Sequence, residues 1–237
     1  MQKNKIHILS TRPAGAALIG EAAQHDIIID EMSFITTEEI ISDKIEKKIR
    51  ELLHQNITAV FTSMNAVDGV GKYISAKPSW KIFCIGNTTK KSVQKIFGQE
   101  NISGTADSAI HLAEKIIEDS SIKKIVFFCG DQRRDELPDK LKENGIEVEE
   151  LVVYKTIETP ELLTKQYDGI LFFSPSAVKS FFAKNFITQK MQVFAIGTTT
   201  ANAIKLFTHQ PVIIAEMPGK ENLITLVIKH FSKRKSF

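Results

Sequence analysis

The sequence predicts an α/β protein: two similar parallel-sheet domains joined by a two-stranded linker, with a cleft between them. Three observations predict it. Short apolar runs alternate with helical patterns along the whole chain, a pair of motifs recurs at fixed spacing, and the opening strand–helix–strand unit supplies what the closing segment lacks.

The apolar runs come first. Stretches rich in Ile, Val and Phe occur at Ile6–Leu9, Ile27–Ile29, Ala59–Phe61, Ile82–Ile85, Ile125–Cys129, Val148–Val153, Ile170–Phe173, Val193–Ile196 and Val212–Ile214. Each has strand length, and their continuous apolarity fits strands covered on both faces. Between them the spacing turns helical. Ile41, Ile45, Ile49, Leu52 and Leu53 share one face, as do Ile110, Ala113, Ile116 and Ile117, and Leu223, Leu226, Val227 and Phe231. Parallel neighbours need a crossover, so strands alternating with helices imply parallel sheets.

The repeat is next. "FTSMNAVDGV" matches "FFSPSAVKSF", and "CIGNTTKKSVQKIF" matches "AIGTTTANAIKLF". Ser63 and Gly86 lie 23 positions apart, as do Ser174 and Gly197, so both motifs share an offset of 111. A polar-started helix pattern follows each pair, "TADSAIHLAEKII" and "PGKENLITLVIKHF". A fainter match sets Phe34 against Tyr154.

The order of the pieces fixes the organisation. The opening unit is expected to pair with the last segment, giving a discontinuous first domain of residues 1–33 and 157–237. Residues 38–152 form the inserted second domain, and 34–37 and 153–156 are the linker strands. Both domains are expected to be flavodoxin-like or Rossmann-like, and such sheets bind ligands beyond their strand C-terminal ends.

Those ends carry small hydroxyl residues. Ser174 suits the N-cap of the next helix, and Pro175 suits its first turn. Ser63 holds the matching place in the other repeat, followed by Asn65 where Ser176 stands. Thr88–Thr89 and Thr199–Thr200 each follow an Ile-Gly turn. Free N–H groups at such helix starts, with hydroxyls nearby, make anion sites. Plain capping is the alternative at each one. Two such turns per domain suit a ligand with several carboxylates or phosphates. Arg12, and the pair Arg133–Arg134, follow strand ends and are candidates for bidentate carboxylate contacts, a solvated side chain being an equal alternative for each of Arg133 and Arg134.

Composition narrows the class. The chain has 237 residues, 43% hydrophobic and 25% charged, with a formal net charge of +3. That charge gives no footprint for nucleic acid, and the basic end "HFSKRKSF" is expected to be solvated. Apolar runs such as "IVFFC" are too short to span a bilayer, and no secretory signal is expected at "MQKNKIHILSTRP". Cys84 and Cys129 read as reduced core residues of a cytoplasmic protein, a disulfide being the less favoured alternative. The six histidines are scattered, without HExxH or CxxC, so no metal site is expected. "DGVGK" (Asp68–Lys72) lacks the third glycine of a dinucleotide fingerprint and the Lys-Ser/Thr ending of a P-loop, and reads as structural.

Taken together, "STRPAGAAL", "TSMNAV", "IGNTT", "VVYKT", "FFSPSAVKSFF" and "AIGTTTANAI" resemble the uroporphyrinogen-III synthase family over nearly the whole chain. Two positions depart from it. Met64 stands where many relatives carry Pro, and Asn65 where they often carry Arg. The resemblance implies a cofactor-free lyase of tetrapyrrole and haem biosynthesis. Its substrate would be hydroxymethylbilane, a linear tetrapyrrole bearing acetate and propionate groups. Loss of the terminal hydroxyl, attack through a substituted ring carbon, a spiro intermediate and reclosure would give uroporphyrinogen III with ring D inverted. Tyr154, in "VVYKT", matches the family's cleft tyrosine and would deliver a proton to the departing hydroxyl, a tyrosine packed in the hinge being the alternative. Arg12, Ser63, Asn65, Thr88, Thr89, Ser174, Ser176, Thr199 and Thr200 would bind substrate. A monomer is expected, with no nucleic-acid or membrane partner and a transient contact with the upstream bilane-producing enzyme. The competing reading is a non-enzymatic cytosolic two-domain binding protein for a polyanionic small molecule.

Overall fold

The computed structural model describes residues 5–86, 88–217 and 219–234, without the side chains of Lys233 and Arg234. Asn87 of "IGNTT", Pro218 and the last three residues of the basic end lie outside the described residues. In chain order the elements are β1 (Ile6–Ser10), α1 (Ala16–Ala23), β2 (Ile27–Glu31), β3 (Ile35–Glu39), α2 (Asp43–Leu52), β4 (Thr58–Phe61), α3 (Met64–Gly71), β5 (Lys81–Ile85) and α4 (Thr88–Phe97). A 3-10 turn (Gln99–Asn101) leads to β6 (Ile102–Ala106), α5 (Ala109–Glu118), β7 (Lys124–Gly130), α6 (Glu136–Glu143) and β8 (Glu147–Glu158). The chain closes with β9 (Gly169–Phe172), α7 (Pro175–Phe182), β10 (Gln192–Ala195), α8 (Thr198–Lys205), β11 (Val212–Ile214) and α9 (Lys220–Arg234).

The chain divides into two compact units, Met1–Thr36 with Ile157–Phe237, and Thr37–Thr156. The first unit holds a sheet ordered β11-β10-β9-β1-β2 and the second a sheet ordered β3-β8-β7-β4-β5-β6. The opening strand pairs in parallel with the returning chain, Ile8 opposite Gly169 and Ser10 opposite Leu171. Laying the repeat β4-α3-β5-α4-β6-α5 on β9-α7-β10-α8-β11-α9 places β7-α6-β8 on β1-α1-β2. The two units therefore share one sheet order, and the chain enters it at different points.

Each sheet is buried on both faces, which is why its strands are continuously apolar. Side chains alternate between the two faces. In β7, Val126 and Phe128 join Ala59 and Phe61 on the face covered by α3 and α4. Ile125, Phe127 and Cys129 join Val60 on the face covered by α5 and α6. In the first unit Ile8, Leu171 and Phe194 face one way, and Leu9, Ile170, Phe172 and Val193 the other. Cys84 and Cys129 are both buried free thiols on opposite faces of one sheet, which excludes a disulfide between them. Burial pushes the Cys84 thiol up to about 11 and the Cys129 thiol to about 12.

Local chemistry sets the helix starts. Ser42 caps α2 by accepting from Ile45 N at 3.4 Å, and the acidic first turn and the Glu46–Arg50 pair favour the dipole. Ser108 caps α5 from His111 N at 3.2 Å. The "DGVGK" glycines serve packing. A Cβ on Gly71 would lie 2.6 Å from Ile96 Cδ1, so α3 and α4 touch there.

Two strands escape the sequence pattern. β6 is "ISGTA", a polar edge strand with a central glycine. β3 was expected only as an extended crossing, yet it is the neighbour of β8 in the sheet order. The two crossing segments run side by side, with Thr159 N donating to Phe34 O at 2.9 Å and Ile40 N to Val153 O at 3.3 Å.

Candidate functional site

The registered strand pairs in each unit are parallel, so their C-terminal ends share one edge of each sheet. At that edge the sheet order reverses direction between β1 and β9 in the first unit, and between β7 and β4 in the second. Such switch points leave a crevice, because the two connecting chains depart to opposite sides.

In the second unit, Ser63 follows β4 and caps α3, accepting from Asn65 N at 3.2 Å. Tyr154 of β8 comes to the same place. It lines a small pocket of about 160 Å³ with Asn65, Asp68, Gly69 and Lys72 of α3 and Thr37, Glu38 and Glu39 of β3. Three of the predicted residues, Ser63, Asn65 and Tyr154, are therefore brought together. Burial pushes the Tyr154 phenol above its ordinary value; the Ser63 hydroxyl opposes the rise, and Cys129 and Asp131 add to it. The phenol is therefore fully protonated at neutral pH and available as a donor. The pocket's carboxylates are engaged: Glu38 with Lys155 at 3.0 Å, Glu39 with Lys72, and Asp68 with the Ser92 hydroxyl.

Thr88 and Thr89 open α4 at the end of the neighbouring strand β5, with Thr88 exposed and Thr89 5% exposed. Their counterparts repeat this in the first unit: Thr199 is exposed and Thr200 is 2% exposed. The second hydroxyl of each pair therefore packs inward, leaving the first as the accessible one. Gly197 precedes α8 in extended geometry and no side chain caps that helix. Ser174 caps α7 from Ala177 N at 3.2 Å, with Pro175 in the first turn and Ser176 half-buried behind it.

Arg12 is exposed in the loop after β1, and the loop is pinned to β9 because Thr11 N and Oγ1 both donate to Leu171 O, at 3.1 and 2.7 Å. Arg12 and Ser174 thus flank the switch point of the first unit. The start of α1 is already occupied by a carboxylate: Glu31 Oε1 accepts from Ala14 N at 2.6 Å and Gly15 N at 3.1 Å. Arg133 differs from expectation. Its guanidinium pairs with Glu150 and Asp135, so it serves the chain's own acids. Arg134 is exposed, 3.9 Å from Glu136. Among the described residues no three His, Cys, Asp or Glu side chains gather into a metal-binding group.

Sequence reasoning passed over Gly130 and Asp131. Asp131 N donates to Tyr154 O at 3.0 Å, and Thr156 N donates to Asp131 Oδ1 at 2.9 Å, holding the backbone at the tyrosine and just after it. The available signal was a glycine closing an otherwise apolar strand, "IVFFCG".

Comparison with known proteins joins this geometry to a family. A family model described as uroporphyrinogen-III synthase HemD matches residues 16–225. A uroporphyrinogen-III synthase of Schizosaccharomyces pombe is 26% identical over 160 residues; the match spans 62% of this chain and 61% of the yeast protein, about three fifths of its length. Among solved structures, uroporphyrinogen-III synthetase from Helicobacter pylori matches with a TM-score of 0.67 at 17% identity, covering 95% of this chain and 99% of that one. A mutant uroporphyrinogen III synthase from Thermus thermophilus matches with a TM-score of 0.65 at 14% identity, covering 96% and 99%. These two likenesses show a shared two-unit α/β fold. The family model spans most of the chain, including β9 of the first unit's switch point, both strands of the second unit's and the helix starts that follow β4, β5, β9 and β10, and on that ground the chain belongs to the uroporphyrinogen-III synthase family.

Proposed function

We propose that the protein closes hydroxymethylbilane into uroporphyrinogen III, with loss of water and inversion of ring D through a spiro intermediate. Family membership supports the reaction class, and the observation that carries the chemistry is the protonated Tyr154 phenol beside Ser63 at the start of α3. The bilane closes without inversion when left alone, so the enzyme's task is to hold one geometry and to ease departure of the hydroxyl. Tyr154 supplies the proton for that departure. Arg12, Ser63, Asn65, Ser174, Ser176 and the threonine turns bind the substrate's acetate and propionate groups, using helix starts as anion receptors. In this reading Thr88 and Thr199 make the side-chain contacts, while Thr89 and Thr200 hold their turns from within.

The reading extends to a cytoplasmic monomer that takes bilane by transient contact with the enzyme making it, since rapid transfer limits spontaneous closure. No helix among the described residues is long and apolar enough to cross a membrane.

Bilane generated in situ and incubated with the protein tests the reaction. The type III isomer is expected to dominate the separated products. Type I product at the uncatalysed proportion, with the bilane bound, would leave a binding protein and end the proposal.

The turns are tested separately. Thr88→Val and Thr199→Val are each expected to raise KM with little change in kcat. A hydrogen bond to a charged group is worth about 1.5–3 kcal/mol, so the rise is about tenfold or more. Unchanged KM in both variants would make these hydroxyls helix caps only.

A further inference from the structure

We propose that Gly130 is a positioning residue, the seat that aims the Tyr154 phenol at the start of α3. The proposal rests on the reading of Tyr154 as the proton donor.

Two features of the second unit place that ring. The first is a β-bulge. Along β7 and β8 the register runs Phe128 opposite Leu151 and Cys129 opposite Val152, then shifts so that Gly130 faces Tyr154. Val153 is the extra residue. Leu151 packs on the face covered by α3 and α4, and Val152 on the opposite face. Val153 returns to the first face. Strict alternation would send Tyr154 to the second, away from Ser63 and Asn65. The extra residue breaks the alternation, and Tyr154 packs with Val153 against the α3 side. In the first unit, β1 and β2 pair from Ile6–Ile27 to Ser10–Glu31 without a shift, so the device belongs to the unit that carries the tyrosine.

The second feature is space. A Cβ on Gly130 would lie 2.5 Å from Tyr154 Cζ, 2.6 Å from Cε2 and 2.8 Å from Oη. The hydroxyl end of the ring thus rests on the bare Cα. Glycine is not required there by the backbone, since Gly130 is absent from the positive-φ residues among those described. Alanine fits the strand but cannot share the space with the phenol. A side chain at this position displaces the reacting end of the tyrosine and leaves the strand intact. The tyrosine's main chain stays fixed by Asp131 and by the pairing of β7 with β8.

Misplacement of a reacting group by about 1 Å can cost about 10²-fold. In the full chain, Gly130→Ala is therefore expected to lower kcat by about that factor with KM nearly unchanged. Melting, followed by the buried Trp80, is expected to stay close to the parent. The decisive comparison is with Tyr154→Phe and the double variant. With no hydroxyl left to aim, adding Gly130→Ala to Tyr154→Phe is expected to change kcat less than about threefold. Ultraviolet titration in a background lacking Tyr73 and Tyr167 gives an independent readout: release of the phenol from its buried seat is expected to lower its ionisation pH in Gly130→Ala.

Tyr154→Phe at a normal rate would overturn the reading of Tyr154, and the positioning role with it. A slow Tyr154→Phe beside a normal Gly130→Ala would overturn the positioning role alone. So would an equal rate loss from Gly130→Ala in both backgrounds, or loss of the cooperative Trp80 transition.

Discussion

Replacing Tyr154 with Phe is expected to slow formation of uroporphyrinogen III by about 10²–10⁴-fold, the usual contribution of general acid–base help. The change removes one hydroxyl and keeps the ring that rests on Gly130. Packing on the α3 face is retained, so melting is expected to move little. The pH dependence has a definite sign. Burial raises the phenol's pKa, so the acid form persists past the ordinary tyrosine value of about 10 and the alkaline loss of the donor lies above it. The product is expected to stay type III while turnover outruns spontaneous closure, because geometry selects the ring that inverts. As turnover slows, type I accumulates from substrate that escapes. A near-normal rate would make Tyr154 a packing residue, and a matching fall in melting temperature would make the rate loss structural.

The largest stability effect is expected at Phe61. It is fully buried, 5.1 Å from the Phe128 ring and 5.6 Å from Phe97. Trp80 extends the cluster, stacking on Phe97 at 5.5 Å and Phe128 at 5.6 Å while its indole N–H donates to Leu52 O at 2.9 Å. Phe61→Ala removes the central ring and leaves a hole that these stiff neighbours fill poorly. The cost is expected to be about 3–5 kcal/mol, a large share of the stability typical of a domain. Trp80 is the chain's one tryptophan and reports this unit directly, so denaturant unfolding followed by its fluorescence measures the loss. A loss below about 1 kcal/mol would mean that the cluster closes over the gap.

Much of the architecture lies in one-dimensional pattern. The buried strands announce themselves because both faces of each sheet are covered, so runs such as Ile125–Cys129 carry no polar break. Helix starts at Ser63, Ser108 and Ser174 are local chemistry, settled within three residues. The repeat of 23-residue spacings revealed two units of one kind, and the pairing of Ile8 with Gly169 is the contact that the leftover opening unit required. β6 was hidden because an edge strand needs no apolar face of its own.

Other features were decided only by the fold. Alternation along "EELVVYKT" assigns Tyr154 to the wrong side of the sheet, and the bulge at Val153 corrects it. No residue type in that stretch marks a bulge, since it depends on how β7 and β8 slide against each other. Thr88 and Thr89 look equivalent in sequence, yet the helix turn exposes one and buries the other. Arg133 reads as a candidate cation for substrate until Glu150 of β8, 17 positions away, meets it in the loop after β7. The sequence by itself determined which residues form the sheets and where hydroxyls stand at their ends, because those follow from periodicity and local capping. Only the tertiary structure decided which face the tyrosine takes and that Gly130 leaves room for it, because register and close contact are set between strands far apart in the chain.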